Sequence, residues 1–296
     1  MKANLNRRSA IKGILASTAA LSIPLELSAF GLSKEKTTTI PMLKGNINHS
    51  VSRWCFNSLD LETLCIEAKK MGITGIDLVG PEAWPTLKKY NLISTMCNGA
   101  ELNLVDGFND IQFHEKLIQR YTEMIPRVAE AGYKNLICFS GNRRGKTDEE
   151  GWNNCVIGLQ KLIPLAEKHN ITLVMELLNS KIDHKDYQCN KTSWGVELVK
   201  RINSDHFKLL YDIYHMQIDE GDVIRTIKDN IQHIAHFHTA GVPGRNEIDE
   251  TQELNYPAIM RAIAGTGFKG FVGQEFVPKY TDKLASLQQA ITICDI

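Results

Sequence analysis

The chain has 296 residues, 43% of them hydrophobic and 23% charged, with Lys+Arg and Asp+Glu equal at 34 each. A net charge of zero removes the electrostatic basis for binding nucleic acid or an anionic membrane surface. The composition is that of a folded globular domain, and its expected partner is a small molecule, with a homo-oligomer possible.

The first segment stands apart from the fold. Asn6-Arg7-Arg8-Ser9-Ala10-Ile11-Lys12 puts charge ahead of the apolar run from Gly13 to Ile23, and Pro24, Glu26 and Leu27-Ser28-Ala29 follow. The run is too short to span a bilayer, and the layout is that of an export signal; the paired arginines resemble a twin-arginine leader. Residues 1–40 are therefore expected to be an export signal and lead-in that sends the protein to the periplasm without stable membrane insertion. Residues 41–296 are expected to be the catalytic domain. The seven cysteines (Cys55, Cys65, Cys97, Cys138, Cys155, Cys189 and Cys294) are odd in number and form no CxxC. They read as small buried hydrophobes, with no disulfide expected.

After the leader, strand and helix signals alternate without a break. Asn46–Val51 reads as a first strand, and Leu61, Leu64, Cys65 and Ala68 give the next segment, Asp60 to Met71, a helical apolar face. Gly75–Val79 is a second strand, and Pro81-Glu82 opens a short helix. Leu92–Cys97 is a third strand, followed by a long helix over residues 110–131 that ends at Gly132. Asn135–Phe139 is a fourth strand, with one helix expected from Asp148 to His169. Four further strands end at Glu176, Asp212, His238 and Glu275, with helices at 192–203, 219–230 and 254–264 and a last one near 281–291. Eight such units, with no composition shift between them, predict a single-domain (β/α)8 TIM barrel. An open doubly wound sheet is the alternative, but His49-Ser-Val-Ser-Arg53 stands where that fold needs a Gly-rich phosphate turn.

Glu176, Asp212, His238 and Glu275 are 36, 26 and 37 residues apart, about one strand-helix unit each time. Side chains that end consecutive parallel strands converge on the carboxyl face of a barrel. Three carboxylates and an imidazole aimed at one point are costly unless a cation sits among them, so these four are expected to bind a divalent metal. Each alone has a blander reading: a helix-terminal Glu, an N-cap Asp, a core His, a rim ion pair. Oxygen-rich ligation with one imidazole suits Mn²⁺, Mg²⁺ or Co²⁺. His215 and Arg245 are candidates to hold substrate, and His49 and Trp54 to close the pocket over it.

Four stretches carry a family resemblance: Glu176-Leu-Leu-Asn179, Tyr211-Asp-Ile-Tyr-His-Met-Gln217, Val242-Pro-Gly-Arg-Asn-Glu247 with Glu253-Leu-Asn-Tyr256, and Val272-Gly-Gln-Glu-Phe276. With them, residues from about 46 to 290 resemble the xylose-isomerase-like barrels, more closely the hydroxypyruvate isomerases and the ketose 3-epimerases. The resemblance implies that Glu176, Asp212 and Glu275 are metal ligands and that the two Glu move the proton. At the seventh strand His238 matches the 3-epimerases, where hydroxypyruvate isomerases usually carry Gln; the Pro-Gly-Arg loop matches the isomerases. The expected activity is proton transfer beside the carbonyl of a small keto acid or ketose through an enediolate, as in conversion of hydroxypyruvate to tartronate semialdehyde. Ketose 3-epimerisation and dehydration of a keto-inositol remain alternatives. A non-enzymatic sugar binder is expected to have lost one of the two Glu, and a multi-zinc nuclease would need more His and Asp ligands and a basic surface.

Overall fold

The computed structural model of the protein describes residues 42–296, so the expected export signal lies outside the described residues. Eight strands pair in chain order, all parallel, and the last closes on the first. They are β1 (Asn48–Ser52), β2 (Gly75–Val79), β3 (Ile93–Cys97), β4 (Asn135–Cys138), β5 (Thr172–Glu176), β6 (Phe207–Asp212), β7 (Ile234–Thr239) and β8 (Phe271–Gln274). Among the described residues, ten α-helices wrap them: α1 (Leu61–Lys70), α2 (Trp84–Lys89), α3 (His114–Glu130), α4 (Asp148–Leu159), α5 (Ile163–His169), α6 (Thr192–Ile202), α7 (Ile213–Asp219), α8 (Val223–Asn230), α9 (Tyr256–Gly265) and α10 (Lys283–Cys294). This is the expected (β/α)8 barrel, and no described helix is long and apolar enough to cross a membrane.

Local chemistry sets the helix ends. Asp60 caps α1 by accepting from Thr63 N at 2.8 Å, and Thr147 and Glu150 form a reciprocal capping box at the start of α4. Asn170 and Asn203 end α5 and α6 in the left-handed region, a conformation Asn tolerates better than most residues. One expected helix is divided and another starts later than expected. The segment from Asp148 to His169 breaks after Leu159, because Pro164 has no N–H for the carbonyl four residues earlier and its ring would clash there. The segment expected at 219–230 begins at Val223, and an unforeseen helix, α7, starts directly behind strand β6 because Asp212 caps it.

Strand alternation decides which side chains reach the barrel interior. Ser50 faces inward and its hydroxyl donates to Asp77 Oδ2 at 2.9 Å, so His49 and Val51 face the helical layer. In β8, Gly273 has no alternative: a Cβ there would overlap Asp77 Oδ2 and lie 3.0 Å from His238 Cδ2. All seven cysteines are buried and free.

Candidate functional site

Glu176 is the last residue of β5, Asp212 the last of β6, His238 the penultimate residue of β7, and Glu275 follows the end of β8. Asp212 is paired in register with His238, and His238 with Gly273, so the barrel closure itself brings the four together. One ligand atom from each lies within 4.8 Å of every other, and all four residues are buried. His238 Nδ1 sits 3.2 Å from Glu176 Oε1 and 3.1 Å from Glu275 Oε2, midway between the two carboxylates.

Asp212 does two things at once. Its Oδ1 accepts from His215 N at 3.2 Å and caps α7, while its Oδ2 faces Arg245 Nη2 and His215 Nε2, each 3.6 Å away. The cap and the site are thus functions of separate oxygens of one carboxylate.

Arg245 reaches in from the loop after β7, where Gly241 N bonds Asn246 O and Arg245 N bonds Gly241 O, both at 2.9 Å. Its Nη2 donates to Glu275 Oε2 at 2.6 Å, and its guanidinium lies 5.1 Å from the Trp54 ring centre and 5.4 Å from that of Tyr214. Arg245 was expected to hold substrate; its observed partners are the carboxylates of the site. Trp54, in the turn that follows β1, joins them by donating its indole N–H to Glu275 Oε1 at 2.8 Å.

His215 is fully buried, with Nδ1 2.6 Å from the side-chain amide nitrogen of Asn179. That donor fixes Nδ1 as the acceptor and leaves the proton on Nε2, which has no partner and faces Asp212. His215 therefore presents a free N–H to the site. His49 does not belong there. Strand phase turns it outward, both ring nitrogens are buried without partners, and the charge that acts on it is Asp295 near the chain end.

The electrostatics follow from burial and from this mixture of charges. Burial pushes the Glu275 carboxyl up, but His238 and Arg245 outweigh it and hold Glu275 well below the usual carboxylate range. Burial pushes Glu176 up and is only partly opposed by His238. Asp212 is also pushed up, first by burial. Burial would lower the His238 imidazole, yet Glu275, Asp77 and Glu176 together raise it well above its ordinary value.

The donor set fits a divalent cation on its own chemistry. Three buried carboxylates exceed the positive charge that Arg245 and a protonated His238 supply, and an ion would take the place of the His238 proton. Beside Trp54, over the carboxyl ends of β2 to β4, a hollow of about 250 Å³ is lined by Leu78, Asn98, Glu101, Leu104 and Phe139.

Two interior residues were not foreseen as part of this constellation. Asp77 lies inside the expected second strand and His236 inside the expected seventh, and both pack directly beneath His238. A signal was available: Asp77 is a charge inside an apolar strand, and His236 precedes His238 by two, so it shares its face.

Comparison with known proteins matches a family model described as the xylose isomerase-like TIM barrel to residues 66–292. Over 114 residues the chain is 35% identical to the 2-oxo-tetronate isomerase of Cupriavidus necator, covering 38% of this chain and 43% of that protein. It is 29% identical over 151 residues to the hydroxypyruvate isomerase of Escherichia coli K12, covering 51% of this chain and 58% of that one. The matched stretches thus span about half the length of these relatives. A crystal structure described as an AP endonuclease, family 2, from Brucella melitensis superposes with a TM-score of 0.72 at 25% identity, over 81% of this chain and 97% of that one.

Proposed function

The chain belongs to the xylose isomerase-like TIM barrel family, and from that premise we propose that it is a divalent-metal-dependent isomerase of small keto acids or ketoses. The reaction that best fits is hydroxypyruvate isomerase-like, interconverting hydroxypyruvate and tartronate semialdehyde. The relatives named hydroxypyruvate isomerase and 2-oxo-tetronate isomerase support the substrate class. The observation that carries the reading is the pair Glu176 and Glu275, each within 3.2 Å of His238 Nδ1 from its own side.

Held by Glu176, Asp212, His238 and Glu275, a Mn²⁺, Mg²⁺ or Co²⁺ ion would supply positive charge to the substrate oxygen that becomes negative as the proton leaves. One of Glu176 and Glu275 is suited to take a proton from the carbon beside the carbonyl, and the other, across the site, to return one to the neighbouring carbon. The free Nε2–H of His215 would hold a substrate hydroxyl, and Trp54 walls the hollow that receives the rest of a small substrate. A ketose 3-epimerase would use the same parts and return the proton to the same carbon from the opposite face. His238 in β7 favours that second reading. The neutral charge weighs against a nuclease. Export to the periplasm through Arg7-Arg8 belongs to the same proposal.

The test is solvent deuterium incorporation with Mn²⁺ or Mg²⁺, offering hydroxypyruvate, ketoses of four to six carbons and keto-inositols, with products identified by NMR. Metal-dependent exchange beside the carbonyl, lost in Glu275→Gln, is expected. No exchange on any of them, with the ion shown to be bound, would overturn the reading.

A further inference from the structure

Asp77 lies in the middle of β2, fully buried, and side chains from three other strands converge on it. Ser50 of β1 donates to its Oδ2 at 2.9 Å, Thr95 of β3 donates to its Oδ1, and His236 of β7 places Nε2 2.9 Å from Oδ2. His238, also of β7, places Nε2 3.4 Å from the same Oδ2. Gly273 of β8 completes the enclosure by having no side chain to intrude. An apolar residue is the ordinary filler of a barrel interior, and a buried carboxylate carries a large desolvation cost before its partners offset it. The arrangement therefore needs an account beyond packing.

The two nitrogens of His238 supply it. Nδ1 faces Glu176 and Glu275, so Nε2 faces the other way, into the interior, where it is buried without a hydrogen-bond partner and Asp77 Oδ2, 3.4 Å away, is the acidic group that faces it. An imidazole that gives the lone pair of Nδ1 to an ion must carry its proton on Nε2. A carboxylate at Nε2 selects that tautomer, fixes the ring and strengthens Nδ1 as a donor. Ser50, Thr95 and His236 keep Asp77 from turning away.

We propose that Asp77 is the positioning residue of the cation site: through Nε2 of His238 it sets the ring orientation and tautomer that aim Nδ1 at the ion. The inference rests on the reading that Glu176, Asp212, His238 and Glu275 hold one divalent cation, and it adds a fifth residue acting from beneath. His236 acts one step further back, as a brace on Asp77.

Calorimetric titration of the full chain with Zn²⁺, a diamagnetic probe, combined with ¹⁵N NMR of labelled histidines, tests it. Expected are one ion per chain, a His238 proton on Nε2 in the loaded protein, and a loss of Zn²⁺ affinity of about 10- to 100-fold in folded Asp77→Asn. A merely structural Asp77 would lower thermal stability but leave the affinity of the folded protein and the tautomer unchanged, which would overturn the proposal. A His238 proton on Nδ1 would also overturn it. So would two ions per chain, since Asp77 and His236 would then be ligands of the second. If the wild-type chain bound no ion, the cation reading would fall and this inference with it; binding by wild type with equal binding by Asp77→Asn would sink the inference alone. The wild-type spectrum decides the tautomer even if Asp77→Asn does not fold.

Discussion

Trp54 donates its indole N–H to Glu275 Oε1 at 2.8 Å, tying the segment after the first strand to the segment after the last. The contact gives Glu275 a donor that stabilises its ionised form. Trp54→Phe keeps an aromatic wall beneath Arg245 and removes that donor. A hydrogen bond to a charged group contributes about 1.5–3 kcal/mol, so the metal-dependent exchange rate should fall roughly tenfold or more. Its pH profile should also move upward, because a Glu275 without the donor ionises at higher pH. An unchanged rate and profile would show that Trp54 only packs.

Asp212 joins helix capping to the site, and substitution can separate the two. Asp212→Ser retains a capping oxygen for α7, and Asp212→Ala does not. The Ala variant should be about 1 kcal/mol less stable than the Ser variant in chemical denaturation without added metal. Both should lose cation affinity alike. A Ser variant that kept wild-type affinity would remove Asp212 from the ligand set.

His49 offers a prediction away from the chemistry. Burial lowers its imidazole from 6.5 to about 4, so the folded protein holds it neutral where the unfolded chain would protonate it. Unfolding therefore takes up a proton between those values. His49's contribution is complete above pH 6.5 and is lost as pH falls toward 4. Each unit of difference is worth about 1.4 kcal/mol. Between pH 7 and 4.5 the wild type should lose roughly 2–3 kcal/mol more stability than His49→Leu, measured by urea denaturation. Parallel losses would mean that His49 is protonated in the fold.

The barrel was legible because every strand is a short apolar run, and four of those runs end in a residue too polar to bury without a purpose. Glu176, Asp212, His238 and Glu275 met as their spacing required. What failed was local. His49 stands near the end of a strand, like the ligands, but the phase of β1 is set by Ser50 reaching Asp77, a contact across strands that spacing does not contain. The helix expected from Asp148 to His169 ignored the cost of Pro164 inside it. Helix α7 was missed because its cap is Asp212, already assigned to the metal. Arg245 was read as free to meet substrate, since its ion pair with Glu275 depends on a loop conformation seen only in three dimensions.

The most direct measurement is anomalous diffraction from crystals of the protein soaked in Mn²⁺. One manganese peak should appear among Glu176, Asp212, His238 and Glu275, at about 2.0–2.3 Å from a ligand atom of each. A well-ordered structure with no peak there, or with manganese bound only elsewhere, would contradict the metal centre and with it the proton-transfer chemistry proposed for the two glutamates.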